Sequence, residues 1–309
     1  MLRYIASRAL FAAGVVAGVL ALLFVLIRLV PGDPVTAVLG GEATDFQIQQ
    51  VREQLGLDKP MIVQLFLYGL AVLQLDFGNS IVSGMGAIDL VIQRAPTTAT
   101  LAAVSMALAL ALSFPLGILS SRKPGGTLDR AVSLFVLLGQ SLPSFWFGTM
   151  LILIFSRNLG LLPSFGISDW RSYILPAVTL AVPVASVLTR MVRSGLLEVT
   201  QEDYIRTARS KGLRSGLIVR DHEVRNMLIP VLTLASLQFG HLLGGAIVVE
   251  SVFSIPGVGR VLVQGLLDRD YPVVQAAVFF IAVAIVLLNL LVDVAYGVID
   301  PRASVVGKK

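Results

Sequence analysis

The sequence predicts an all-α integral membrane protein with six spanning helices, and three observations carry that prediction. Of 309 residues 56% are hydrophobic and 14% charged, with a mean hydropathy of +0.85, where a soluble domain has about one quarter charged. Six stretches come close to the roughly 20 apolar residues that a helix needs to cross a bilayer. The basic residues also fall to one side. With six spans and the N-terminus inside, sixteen of the 24 Lys and Arg lie in segments 1–8, 121–130, 190–226 and 295–309, against seven in 31–98, 156–173 and 250–272. That asymmetry marks the first set as cytoplasmic, and it accounts for the net charge of +5 without nucleic acid as a partner. The absence of cysteine excludes disulfides and thiolate metal sites. Two histidines, His222 and His241, leave no material for a histidine-rich metal cluster.

The first span, Ala9 to Val30, follows Arg3 and Arg8 as a signal peptide would. Its apolar run is too long and lacks a small-x-small cleavage site, so it reads as a retained anchor. Gly14 and Gly18 form a small-xxx-small pair that lets another helix approach closely. Segment 31–98 is too long for a simple connection. Asp45 can cap a helix in which Ile48, Val51 and Leu55 share a face and Gly56 ends it. The run Met61 to Leu75, with Gln64 and Gln74, reads as an interfacial or packed helix. If it spanned, the later loops would change sides and the eight Lys and Arg of 190–226 would face outward, against the rule.

The next spans are Ala99 to Ser120, Ala131 to Phe155 and Ile174 to Val192. Pro115, Pro143 and Pro183 each remove a backbone hydrogen bond inside one of them, which favours a bent bundle. Met227 to Val249 is the fifth span. Val252 to Arg260 follows as a turn-rich stretch in which Pro256, Gly257 and Gly259 break helix, and Val273 to Val294 is the sixth span. The chain thus divides into residues 1–30 (cytoplasmic N-terminus and first span), an extracytoplasmic loop 31–98 with short helices, a core 99–297 of five spans, and a cytoplasmic tail 298–309.

Within the core, the inside loop 190–226 is the longest polar stretch on its side. It contains DYIRTARSKGLRSG at Asp203 to Gly216, where Ile205, Ala208 and Gly212 recur at i, i+3 and i+7 and line one face of a short helix. Arg206, Arg209 and Lys211 flank them. A face of small residues admits a groove wall, and a basic rim orients the encounter. The alternative is an amphipathic helix on anionic lipid, for which this face is poor in Leu, Phe and Trp.

YIRTARSKGL, continuing to RNMLIP at Arg225 to Pro230, resembles the EAA loop of permease subunits in ABC importers, in particular the dipeptide and oligopeptide permease family. Similar stretches run along almost the whole chain: RLVPGDP at Arg28 to Pro34, LGLDKP at Leu55 to Pro60, DFGNSI at Asp76 to Ile81, SLPSFW at Ser141 to Trp146, LGLLPSFG at Leu159 to Gly166, VVESVFSIPGVGR at Val248 to Arg260, RDYPVVQ at Arg269 to Gln275 and DPR at Asp300 to Arg302. The generic Glu-Ala-Ala is replaced here by Arg206, Thr207 and Ala208, and Pro230 comes later than the generic spacing, as in the peptide subgroup. The resemblance implies a type I ABC importer permease fold in a bacterial or archaeal cell membrane, with both termini cytoplasmic. It implies four kinds of partner: a second homologous permease, two cytoplasmic P-loop ATPase subunits or domains, an extracytoplasmic substrate-binding protein and the lipid bilayer. It also makes 204–212 the coupling helix, with Tyr204, Ile205, Arg206, Ala208, Arg209 and Gly212 seated in an ATPase groove. Short peptides are the implied substrate, and nickel, glycosides and other small solutes are the family's alternatives.

The chain has no G-x-x-x-x-G-K-[ST] loop, so ATP and Mg would be held by partner subunits and no cofactor is expected in this chain. Ion-driven transport would leave ionisable groups in mid-membrane. The candidates are Asp293, near the inner end of span six, and His241, which lies with Gln238 in span five. An intramembrane serine protease would need Ser141 and His241 within hydrogen-bond reach, but Leu142-Pro143 after Ser141 leaves little room for an oxyanion hole. An aspartyl protease needs two facing carboxylates. A secondary transporter would have no use for the 190–226 loop. Ser141, Ser144, Gln238 and His241 are the candidate pathway groups.

Overall fold

The computed structural model describes residues 2–29, 46, 49 and 58–299. The expected helix from Asp45 to Gly56, most of RLVPGDP and the DPR tail lie outside them. Among the described residues the regular structure is helical, with a single isolated bridge between Asn79 and Gly86. It forms two compact units, one of residues 1–97 and 256–286, the other of 98–255 and 287–309.

The first unit holds α1 (Leu2–Leu29), α2 (Met61–Leu73), the first part of α3 (Ala87–Arg122), α9 (Val258–Leu267) and most of α10 (Tyr271–Ile299). Thirteen residues of α2 span about 20 Å, too short to cross about 30 Å of hydrocarbon, as its glutamines suggest. It leans on the end of α1: Phe24 stacks on Tyr68, and the Arg28 guanidinium lies 3.4 Å from the Phe24 ring centroid and donates to Gln64 Oε1 at 2.7 and 3.0 Å. Gly14 and Gly18 have nothing within 4 Å of where a Cβ would stand, so among the described residues no helix packs on that face. DFGNSI and RDYPVVQ meet through a hydrogen bond from Ser80 Oγ to the buried Asp270 carboxylate, beside a Phe77–Phe279 ring pair. Gly257 precedes α9 in extended conformation, but Gly259 lies buried inside the helix. The expectation that Gly259 breaks helix is therefore corrected, since a packed neighbourhood outweighs about 1 kcal/mol of glycine propensity.

The second unit holds the rest of α3, α4 (Thr127–Ser141), α5 (Ser144–Leu151, continuing as a wide turn over Ile152–Asn158), α6 (Ile174–Val199), α7 (Asp203–Ser210), a wide i→i+5 turn over Ile218–Val224, and α8 (Arg225–Val252). Asp169 starts the run into α6 by accepting from the Arg171 amide at 2.9 Å while Ser172 reciprocates, a capping box on the turn Trp170–Tyr173. α6 is the centre of this unit, with 67% of its apolar window buried against 39% for α3 and 28% for the apolar part of α8. Helices approach it closely where glycine faces it. A Cβ on Gly117 of α3 would stand 2.6 Å from Val192 Cβ and 3.1 Å from the Thr189 carbonyl oxygen, and one on Gly139 of α4 would collide with Ser186 Oγ.

Among the described residues four helices are long and apolar enough to cross a membrane, namely Ala87–Arg122, Trp170–Val199, Pro230–Val252 and Tyr271–Leu290. The expected span Ala131 to Phe155 is not one helix. It is the pair α4 and α5, bent by 108°. Pro143 has no N–H to continue α4 and pushes Leu142 into the extended region (φ −79°, ψ 127°). Counted as one broken span it makes five. α1 covers the expected first span as far as Leu29, with an apolar part, Ala13–Leu29, somewhat short of about 20 residues.

Candidate functional site

The 190–226 loop folds as a knuckle between α6 and α8. Asp203 sits in the first turn of α7 and Arg209 in the last, each sign at the end of the helix dipole that favours it. The helix stops on Gly212, whose φ of +77° is the left-handed conformation that glycine adopts without strain. The Leu213 amide reaches the Ala208 carbonyl at 3.3 Å and the Gly212 amide reaches Arg209 at 3.0 Å, the pair of bonds of a Schellman end.

The six residues singled out in this stretch come together on α7 and its cap but not on one surface. Ile205 and Ala208 are buried, packed with Ile218 and against Val199. Gly212 points to open space. Tyr204, Arg206, Thr207, Ser210 and Lys211 are exposed, so the face α7 leaves open is the polar one, opposite the pair that secures it to its own chain. Arg206 is loosely paired with Asp203 at 3.5 Å, both well exposed, which adds little stability. Tyr204 Oη accepts from Asn226 Nδ2 at 3.0 Å and so fastens the start of α7 to the start of α8. Arg220 donates twice to Asp221, and that hydrogen-bonded guanidinium lowers the Asp221 pKa below the ordinary carboxylate range.

Five ionic residues matter here that the sequence reading did not single out, Glu223, Arg122, Asp129, Arg193 and Arg190. Glu223 is buried and lies between two guanidinium groups, Arg122 Nη2 at 3.1 Å and Arg209 Nη2 at 3.8 Å. Asp129, in the first turn of α4, accepts two hydrogen bonds from Arg193 of α6, at 2.6 and 2.9 Å, and one from the Gly125 amide at 2.8 Å. Farther along the same helix pair Arg190 donates to Gln140 Oε1 at 2.7 Å. The Arg122–Glu223, Arg193–Asp129 and Arg190–Gln140 pairs join residues 101, 64 and 50 positions apart, and no local sequence pattern marks them.

The candidate pathway residues lie on three helices. Ser141, exposed, and half-buried Ser144 flank the α4–α5 bend, while half-buried Gln238 and exposed His241 lie on α8. α8 also carries Glu250, which is fully buried and accepts from Thr98 Oγ1 at 2.6 Å. Among the described residues no group of three or more His, Asp or Glu is placed to hold a metal ion.

Comparison with known proteins places this architecture. Residues 113–305 match the family described as binding-protein-dependent transport system inner membrane component, and residues 1–102 match its N-terminal counterpart. The glutathione transport system permease protein GsiC of Pectobacterium atrosepticum is 44% identical over 301 residues, covering 97% of this chain and 98% of that protein. Its namesake in Escherichia coli K12 is 41% identical over the same shares. Among solved structures, an inward-facing MetNI methionine ABC transporter chain matches with a TM-score of 0.59 at 22% identity, covering 68% of this chain and 96% of that one. A chain of an amino acid ABC transporter matches at 0.52 and 16%, covering 67% and 93%, and at these identities both matches speak to the fold alone. With almost its whole length matched, the chain belongs to the binding-protein-dependent transport system inner membrane component family and is a permease subunit of an ABC importer, a multi-pass protein of the cell membrane.

Proposed function

We propose that this permease forms, with a second homologous permease, the pathway for short peptides of the glutathione type, delivered by an extracytoplasmic binding protein and driven by two P-loop ATPases. The observation that carries the substrate class is the 44% identity, over 97% of the chain, to a protein named for glutathione transport. ATP and Mg are bound by the ATPase subunits, and this chain supplies the docking element. α7 presents Tyr204, Arg206, Thr207, Ser210 and Lys211 to the ATPase groove, while Ile205 and Ala208 lock the helix onto the knuckle. When the ATPases close on ATP they draw the two α7 helices together. Each α7 sits between α6 and α8 in the chain, so its displacement rotates those helices as a body and turns the pathway outward. Hydrolysis resets it. Ser141, Ser144, Gln238 and His241 are the groups of this subunit that meet the substrate.

In this reading α1 and the α4–α5 pair complete six spans and both termini are cytoplasmic. The absence of cysteine makes the topology directly testable, because any single introduced cysteine is a unique reporter. Cysteines at Lys123 and Glu202 should react with a membrane-impermeant maleimide from the inside only, and one at Trp170 from the outside only. For function, the tagged chain is recovered from its host in mild detergent and the co-purifying proteins are identified. A second permease and one or more P-loop ATPases should accompany it, and the reconstituted complex should import labelled glutathione or dipeptides only with ATP. A chain that purifies alone and well folded, or imports on an ion gradient without ATP, sinks the proposal.

A further inference from the structure

We propose that Glu223 is a positioning residue that ties α7 to the end of α3, so that motion imposed on α7 reaches a helix with no chain connection to the loop. The inference rests on the reading of α7 as the ATPase-docking element. Three observations support it. Glu223 is 1% exposed, and glutamates are almost never that buried unless paired. Its two carboxylate oxygens face different elements: Oε2 accepts from Arg122, the last residue of α3, at 3.1 Å, and Oε1 lies 3.8 Å from Arg209 in the last turn of α7.

The third observation is the wide turn that carries it. Ile218 and Glu223 are both buried in the same seven-residue stretch. Residues five apart on an α-helix stand about 140° apart around the axis, but i→i+5 winding returns them toward one side. Ile218 can therefore clamp Ile205 and Ala208 of α7 while Glu223 holds Arg209 and Arg122. One short element thus grips α7 by an apolar contact and an ionic one, and passes the ionic one on to α3. α6 and α8 are joined to α7 by the chain itself, whereas α3 depends on contacts such as this one to move with them.

The test uses the complete complex with its ATPases. A pair of spin labels on introduced cysteines at Lys123, just beyond α3, and Glu202, which directly precedes α7, reports their separation without nucleotide and after trapping with ATP and orthovanadate. Both sites are exposed in the chain. In the wild type the separation should be the same in the two states. In Glu223→Gln and in Arg122→Gln it should match the wild type without nucleotide and shift by about 2–5 Å on trapping, as α7 moves and α3 lags. Arg122→Gln decides alone if Glu223→Gln does not purify, because the Arg122 side chain already reaches solvent.

A separation that stays constant in the variants overturns the proposal. So does a change of equal size with and without nucleotide, which would mark a local packing defect. Arg206→Glu on the same preparation separates this from failure of the underlying reading. Reversing a charge on the open face of α7 should reduce the ATPase recovered with the chain, and undiminished recovery sinks the docking reading itself. Reduced recovery there, together with a constant separation in Glu223→Gln, sinks only the role of Glu223.

Discussion

Replacing Gly212 separates two roles for that position, because its backbone and its surroundings make opposite demands. The φ of +77° penalises any side chain, by about 1–2 kcal/mol for an ordinary L-residue, yet a Cβ there meets nothing within 4 Å. Gly212→Ala therefore charges the strain and no collision inside this chain. About 1–2 kcal/mol corresponds to a factor of about 5 to 30 in the population of the closed helix end, and asparagine, which tolerates the left-handed region better, should fall between alanine and glycine. The amides that report it are those of Gly212 and Leu213, bonded to the Arg209 and Ala208 carbonyls. Their hydrogen exchange should accelerate in the order Gly, Asn, Ala. Transport should fall modestly in the same order, with the amount of complex unchanged. Gly212→Arg adds bulk on the surface proposed to seat in an ATPase groove and should abolish coupled transport. If arginine is no worse than alanine, no partner wall faces position 212, and if arginine transports as the wild type does, the placement of α7 against an ATPase is refuted.

Other substitutions test the scaffold. Gly117→Ala forces a methyl against Val192 Cβ and the Thr189 carbonyl, overpacking worth about 1–3 kcal/mol, so the thermal midpoint of the detergent-purified complex should drop, and an unchanged midpoint would mean α3 and α6 are not so close. Ile205→Ala empties a fully buried site in a small cluster and should cost about 2 kcal/mol, the low end for such truncations; the readout is faster proteolysis within 200–226, and wild-type resistance would contradict the inward placement. Asp129→Asn leaves Arg193 without its anionic partner. A cost of about 3 kcal/mol is expected, the lower end for a broken buried pair, because the Arg193 side chain is 30% exposed; a double-mutant cycle with Arg193→Gln should show strong coupling, and additive effects would refute the pairing.

The sequence announces α7 and its faces, since Ile205 and Ala208 repeat at helical spacing beside a glycine. It does not tell which way the apolar face turns. Periodicity identifies a stripe that must be covered, and the same stripe serves a foreign groove or a neighbouring turn of the same chain. The decision lies with Ile218, thirteen residues from Ile205 and in a wide turn with no sequence mark. Pro143 shows the same limit. Loss of one backbone hydrogen bond is legible, but a bend of 108° depends on where α4 and α5 each find a partner: Gly139 against Ser186, and Gly148, whose Cβ would lie 3.0 Å from Phe253. The link from Arg122 to Glu223 joins residues 101 positions apart, and no local pattern foretells it.

The basic count of the 190–226 loop acquires a different meaning once its partners are known. The positive-inside rule weighs Lys and Arg whether or not they are paired, so all eight serve the topology argument. For recognition they are not equivalent. Arg190, Arg193, Arg209 and Arg220 are engaged with Gln140, Asp129, Glu223 and Asp221. Those bonds hold α4 to α6 and shape the knuckle. Arg206, Lys211 and Arg214 remain exposed around α7 and its glycine cap, and the negative end of the helix dipole supports Lys211 and Arg214. A partner approaching the loop therefore meets positive charge concentrated at one end of a short helix rather than spread over 37 residues. In the proposed docking that asymmetry orients the encounter, and it suits a face that carries Arg206 where the generic signature places a glutamate.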